Sequence, residues 1–406
     1  MYSMTSCSSS PSPNSPEPDV FIAGGGPAGL ACAIAAAQQG LTVEVADGMA
    51  PPIDKACGEG LMPDTIQALV RLGIDPGSSE SFPFRGIRFL DAKRSKDPVG
   101  HSTVSVEATF PRGQGLGIRR LLLHQLLIDR AVALGVRFSW KTVVQGIEAA
   151  PGVARPKVKT NRGALHPRFI IGADGHQSQI RTWASLDRAC TSARRIGLRQ
   201  HFAIAPWTNH VEVYWSDHGQ AYVTPTSSRE VCVAFVTSRK FKGVAEALSH
   251  FPGLQEHLRS AVATDKPRGA ITVSCRLHRV TSGNVALVGD ASGSVDAVTG
   301  EGLGLCFRQA LALAEALMVG NLAPYEQAHQ AIQRLPRFMA RAMLLLDRSS
   351  SLRHHTLGFL QRYPGIFQRL LEVHVGEPPF SFSRQPVSPA PEHAWPMIEQ
   401  PIEHDL

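Results

Sequence analysis

A chain of 406 residues exceeds the roughly 250–300 residues over which a single hydrophobic core grows, so it is read as one large or two medium domains. Hydrophobic residues make up 43% and charged residues 18%, which excludes a largely disordered, collagen-like or coiled-coil chain. The formal charge of +7 admits an anionic partner, but no basic stretch is interleaved with stacking aromatics, so no nucleic-acid partner is expected.

Residues 1–18 are rich in Ser and Pro and nearly free of large apolar side chains, so they are expected to form a disordered tail. Order is expected from Asp19. Val20 to Ala23 reads as a strand, Leu30 to Gln39 as a helix of small residues, and Leu41 to Ala46 as a second strand, together a β-α-β unit of a parallel sheet. Leucines at helical spacing from Ile118 to Leu134, closed by Gly135, predict a helix. Phe169 to Ile171 leads as a strand into Gly172-Ala173-Asp174-Gly175. From Ile196 to Val236 the pattern suits antiparallel strands, including 211–215, 221–223 and 231–235, hence a second, sheet-rich domain inserted in the first. Asn284 to Val288 reads as a strand ending in Gly289-Asp290, Gly302 to Val319 as a helix, and the Pro-rich segment after Gly376 as a tail.

No run reaches the roughly 18 apolar residues of a membrane-spanning helix, and the N-terminus lacks a basic, apolar leader, so the expected location is cytoplasmic. The seven cysteines are scattered and never paired as CxxC, so neither a disulfide framework nor a metal site is expected.

The turn Gly24-x-Gly26-Pro27-Ala28-Gly29 follows one strand, opens a helix and precedes a second strand ending at Asp47. Glycines there permit a tight turn and let backbone N–H groups and the helix N-terminus approach a pyrophosphate, while a carboxylate some 20 residues on accepts ribose hydroxyls. The carboxylate at Asp47 argues against a 2′-phosphate at this place, leaving FAD or NAD as the tightly held nucleotide.

Further stretches resemble the two-domain flavoprotein superfamily of para-hydroxybenzoate hydroxylase and geranylgeranyl reductase, across roughly residues 19–345. Ile171-Gly172-Ala173-Asp174-Gly175 through Arg181 resembles its Asp-Gly motif, and Val288-Gly289-Asp290-Ala291 its Gly-Asp motif, whose aspartate holds the ribityl chain of FAD. Asp54-Lys55-Ala56-Cys57-Gly58-Glu59-Gly60-Leu61 and Thr299-Gly300-Glu301-Gly302-Leu303 resemble the geranylgeranyl reductase branch, where they lie against the isoalloxazine. Ser292-Gly293 stands where the simple aromatic hydroxylases usually carry His, a departure from their pattern. The Trp-x-Trp-x-Ile-Pro stretch of the superfamily's halogenases has no counterpart here, which disfavours halogenation.

The resemblance implies an α/β fold: a Rossmann-like FAD-binding domain (19–95, 112–182 and 277–322), an inserted antiparallel-sheet substrate domain (96–111 and 183–276), C-terminal helices (323–376) and a tail (377–406). It implies FAD, held non-covalently by Gly24, Gly26, Pro27, Ala28, Gly29, Asp47, Lys55, Gly58, Arg120, Val144, Asp174, Gly289, Asp290, Gly300, Gly302 and Leu303. NADPH or NADH is implied as transient reductant. Arg120 is alternatively a solvated helix residue, Asp174 a turn aspartate, and Cys57 either a proton donor or a packed thiol.

Two reactions suit such a chain. Reduced flavin meets oxygen, and a hydroperoxyflavin hydroxylates or epoxidises a hydrophobic polyketide, phenolic or isoprenoid substrate; or hydride passes to an isoprenoid double bond while Cys57 supplies a proton. The first needs no dedicated acid and is narrowly favoured; a flavin-binding protein without turnover is a minor third reading. Between Arg334 and Arg369, seven arginines face one acid, Asp347, among many apolar residues. That stretch suits either peripheral contact with an anionic membrane or ordinary packing on the FAD domain, and Pro336 and Pro364, which interrupt it, favour packing.

Overall fold

The computed structural model describes residues 16–78, 80–93, 102–149 and 154–376. Most of the expected N-terminal tail, all of 377–406 and the segment 94–101 lie outside the described residues. Val20–Ala23, an apolar run with no exposed position, pairs in parallel with Val43–Asp47 on one side and Phe169–Gly172 on the other. Burial on both faces is what a continuous apolar run, rather than an alternating one, specifies. Val285–Leu287 and Arg137–Trp140 extend this sheet in parallel, and Thr281–Ser282 closes one edge antiparallel.

The winding direction reverses at Val20–Ala23, so the carboxyl ends of neighbouring strands bound a crevice, the usual ligand position in open α/β sheets. The helix Pro27–Gln38 begins there with Pro27 in its first turn, and its residues Leu30 to Ala36 are all buried. Small side chains such as Ala31, Ala33 and Ala35 let it pack closely between the sheet and the helix Gly302–Met318.

The second sheet has eight strands, with Ala189–Ala203, Glu230–Thr237, Gly219–Ser227, His210–Ser216, Gly86–Lys93 and Ser102–Thr109 as consecutive neighbours. Gly86–Lys93 corrects the sequence reading, which put it in the nucleotide domain: it pairs antiparallel with Ser102–Thr109 and parallel with His210–Ser216. The reason is one-sided burial. Ile87 joins Val104, Val106, Val211, Val213 and Trp215 in one apolar cluster, a partnership between distant segments that local periodicity does not encode.

The C-terminal helices Ser350–Arg362 and Pro364–His374 complete that cluster with Leu357, Leu360, Phe367 and Leu371. They therefore pack chiefly on the second sheet, while Met62 joins the same cluster and His374 lies 3.8 Å from Glu301 beside the first. Pro336 lies inside the long helix Ala323–Arg348 without ending it. Among the described residues no helix is long and apolar enough to cross a membrane.

Candidate active site

Three turns separated by more than a hundred residues meet at the crevice. Gly24 has φ +116°, and a Cβ there would lie 2.4 Å from the Ala173 carbonyl oxygen of the Asp-Gly turn. A Cβ on Gly29 would lie 1.9 Å from the Gly24 carbonyl oxygen, and one on Gly289 would lie 2.7 Å from the Ala28 Cβ. The Arg181 guanidinium donates to the His176 carbonyl at 2.7 Å and the Ala291 carbonyl at 3.3 Å, tying the Asp-Gly and Gly-Asp segments together. Gly24, Gly29 and Gly289 are thus required by the packing of motif on motif.

A second set of glycines behaves differently. A Cβ built on Gly26, Gly58, Gly175, Gly300 or Gly302 would meet no protein atom within 4 Å. These backbones border open space, the form a pyrophosphate or a flat ring would need. Gly26 caps the first helix without any side-chain hydrogen bond, so the helix N-terminus is free to face an anion.

Polar groups around this space are partly unsatisfied. Arg120, at the start of the helix Arg120–Ala133, is buried, and its Nε has no partner. The Asp174 Oδ2 accepts from the Gln179 and Ile180 N–H groups at 2.8 and 3.2 Å, so this aspartate does cap a short helix, yet its buried Oδ1 is unpartnered. The Asp290 residue is exposed. Asp47 accepts from the Gly25 N–H at 2.8 Å and the Met49 N–H at 2.8 Å, one bond to each oxygen, which leaves lone pairs for ribose hydroxyls. A buried orphan guanidinium nitrogen and open glycine cradles are what an FAD phosphate and ring would satisfy, so these residues fit the cofactor.

Other expected residues are not drawn in by any direct contact. Lys55 is exposed, and Val144 opens a separate three-stranded sheet by pairing with Thr160. Leu303 is half-buried in the first turn of the helix Gly302–Met318.

Sequence reading missed several groups. The His124 Nε2 lies 2.8 Å from the Gly25 carbonyl oxygen, and the Trp140 ring closes over Gly25 so tightly that a Cβ would come within 2.4 Å of it. Behind Cys57 lies a buried charge network. Glu59, held at φ 59°, accepts from the Arg120 N–H at 3.0 Å, and its Oε2 lies 2.6 Å from the His201 Nε2. The His201 Nδ1 lies 2.8 Å from Asp265, and Arg199 binds Asp265 and Asp54, each at 2.7 Å. Burial pulls the His201 pKa down, but Glu59 and Asp265 raise it above the usual imidazole value.

Cys57 itself is half-buried, with the Glu59 N–H 3.4 Å from its Sγ and the Cys232 Sγ 3.7 Å from its carbonyl oxygen. Glu59, His201 and Cys232 bring their ligand atoms within 4.8 Å of one another. The Glu59–His201 separation of 2.6 Å is nevertheless a hydrogen bond, since two ligands 2.0–2.1 Å from a tetrahedral zinc stand about 3.3 Å apart. A cavity of about 180 Å³ opens beside the network, bordered also by Arg119, Lys266 and Arg268.

The loop before the helix Gly302–Met318 is bolted to the substrate sheet. The Tyr222 hydroxyl donates to the Val298 carbonyl at 2.6 Å, and Arg195 binds Asp296 at 3.2 Å. Gly300 turns there at φ +70°. Its neighbour Glu301 is buried beside Arg308 and His374, each 3.8 Å away, and burial pushes its carboxyl pKa up to about 8.

A protein-family model described as an FAD binding domain matches residues 17–323. The chain belongs to that family. It is an FAD-dependent oxidoreductase. The flavoprotein is 26% identical over 332 residues to the menaquinone reductase of Mycolicibacterium smegmatis, covering 76% of this chain and 78% of that one. It is 25% identical over 300 residues to digeranylgeranylglycerophospholipid reductase 1 of Methanothermobacter thermautotrophicus, covering 71% and 73%. Its fold matches that of the p-nitrophenol 4-monooxygenase PnpA of Pseudomonas putida with a TM-score of 0.74 at 16% identity, over 88% of this chain and 96% of that one. The halogenase PltM, solved in complex with FAD, matches with a TM-score of 0.65 at 17% identity, over 79% and 74%.

Proposed function

We propose that this flavoprotein uses NADPH or NADH to reduce a carbon–carbon double bond in a hydrophobic, isoprenoid-type molecule. The sequence reading leans narrowly to oxygenation, and two features move the balance. The sequence relatives that span over two thirds of the chain carry reductase names, the second of them for a lipid with geranylgeranyl chains. The observation that carries the reading is Cys57, half-buried beside the open backbone of Gly58 and backed by the Glu59–His201 pair. In this reading Cys57 is the acid of the second of the two transfers.

The chemistry that FAD would supply here is transfer of a hydride from the nicotinamide to one alkene carbon. The Cys57 Sγ–H delivers a proton to the neighbouring carbon, and solvent returns one to the thiolate; hydride and proton together account for the two hydrogens added. Arg120, Asp290 and the first helix orient the cofactor, and the Tyr222 and Arg195 contacts hold the loop of Gly300 and Gly302 against it.

The test is anaerobic turnover of purified holoprotein with NADPH or NADH and detergent-dispersed polyprenyl lipids, read by mass spectrometry. The expected product gains two hydrogens and forms without oxygen. Cys57→Ser should slow product formation strongly while flavin reduction by the nicotinamide continues, because a hydroxyl is a far weaker acid than a thiol. A product that forms only after oxygen is admitted and carries an oxygen atom would assign the hydroxylase reaction instead.

A further inference from the structure

Each C-terminal helix carries one broad apolar arc, of which one side is buried and the adjoining side exposed. Leu357, Leu360, Phe367 and Leu371 fill the inner face against the substrate sheet. The outer face carries Leu352, Phe359, Tyr363, Ile366, Leu370 and Val373, each between 41% and 51% exposed. The spacing within each helix, seven residues from Leu352 to Phe359 and four and three from Ile366 through Leu370 to Val373, keeps these residues on one side of that helix, with Tyr363 at the junction of the two. Eight of the seventeen exposed large hydrophobic residues in the described structure lie between positions 338 and 373. Singly exposed apolar residues need no explanation, but such a contiguous concentration marks a surface that meets another phase or molecule.

The charges say which. Arg334, Arg341, Arg348, Arg362 and Arg369 are all exposed, and Arg362 and Arg369 sit within the apolar stripe, three positions after Phe359 and Ile366. Two of the three acids of these helices are engaged elsewhere, Glu326 accepting from the Val280 and Thr281 N–H groups and Asp347 binding Arg195 and Gln220; the third, Glu372, pairs with Arg369, so the arginines outnumber the acids on this surface. Arg353 does not belong to this surface despite its place in the basic stretch. It is 3% exposed and binds Asp91 at 2.8 Å and Asp217 at 3.0 Å.

We propose that the outer face of Ser350–Arg362 and Pro364–His374 lies on an anionic lipid surface, with its apolar residues in the headgroup boundary and Arg348, Arg362 and Arg369 at the phosphates. Amphipathic helices bind membranes in this orientation, through buried apolar area plus attraction of basic residues to anionic lipid. A second copy of the chain fits less well, because a two-fold contact through this stripe would bring Arg362 and Arg369 of both copies, four guanidinium groups, into one interface. The docking rests on the proposed function only for its cargo: a helix pair that packs on the substrate sheet and on the bilayer brings that sheet to where a polyprenyl lipid resides.

The test uses the full chain, with FAD bound, and substrate-free vesicles of phosphatidylcholine alone or mixed with phosphatidylglycerol. Co-sedimentation is expected with the mixed vesicles at low salt, and much less with neutral ones or at high salt. Joint Arg362→Gln and Arg369→Gln should weaken partitioning about thirtyfold, and joint Phe359→Ser and Ile366→Ser should weaken it at any salt. Both variants should keep the parental flavin spectrum and melting temperature, since all four side chains are exposed. Absence of binding to the mixed vesicles at low salt, or binding that neither variant alters, would overturn the proposal. So would a concentration-dependent dimer that the Phe359 and Ile366 variant dissolves. Turnover of detergent-dispersed substrate reads the catalytic reading separately, so failure of one does not imitate failure of the other.

Discussion

Glu59 and His201, on segments far apart in sequence, approach to 2.6 Å with both side chains 1% exposed. Glu59 follows Cys57 in the loop expected against the flavin, and His201 belongs to the long strand Ala189–Ala203, so this contact joins that loop to the second sheet. Arg199, Asp265 and Asp54 extend it to the cavity mouth.

Removing one partner leaves a buried charge without its counterpart, which costs about 3–5 kcal/mol. His201→Leu should therefore lower the melting temperature severely. The pH dependence has a defined sign. The His201 pKa is raised on folding, so its contribution is present below the ordinary imidazole value and fades as pH rises through the folded one. Burial pushes the Asp265 pKa up, but hydrogen bonds from His201 bring it below its usual value. Its contribution is lost as pH falls through the folded value. The network should stabilise most between about pH 4 and 6.5, and a melting-temperature profile of parent against His201→Gln should show its widest gap there.

The two kinds of glycine predict two kinds of defect. Gly29→Ala places a Cβ 1.9 Å from a carbonyl oxygen, so the variant should be destabilised even without cofactor. Gly26→Val meets no protein atom within 4 Å and should leave the melting temperature of the cofactor-free protein nearly unchanged while losing most FAD, measured as flavin absorbance per polypeptide.

Arg120→Gln and Asp290→Ala should both lower FAD retention, with Arg120 the larger effect because its guanidinium is buried and incompletely bonded whereas Asp290 is exposed. Dialysis against cofactor-free buffer, followed by flavin fluorescence, measures both. Acid precipitation of the parent should release all flavin, and colour left in the pellet would contradict non-covalent binding.

Glu301 offers a second pH-dependent contribution, with the same sign as that of His201. Burial holds its pKa up to about 8, so between its ordinary value of 4.5 and pH 8 the folded chain keeps a proton that the unfolded chain releases, and stability falls as pH rises. Glu301→Gln removes that dependence. The variant should be more stable than the parent at pH 8 and close to it at pH 5, read by chemical denaturation at the two values.

The sequence by itself determined the β-α-β unit, the glycine turns and the helices near 120–133 and 302–318. Those depend on neighbours within a few residues: an apolar run of strand length, glycines that admit positive φ, apolar spacing of helical period. Asp47 was named from its spacing after the glycine turn, and Asp174, Asp290 and Arg120 from the resemblance of their motifs to the family's. Tertiary structure decided the rest. The strand 86–93 joined the substrate sheet because its apolar partners, Val211, Val213 and Trp215, lie more than a hundred residues away. His201 and Asp265 joined Glu59 only where sheet register brought them to one buried place, and no local pattern marks a histidine for such a partner. The helices 350–374 carry an apolar arc too broad for periodicity to say which part is buried; packing against 86–109 chose one side and left the adjoining side exposed.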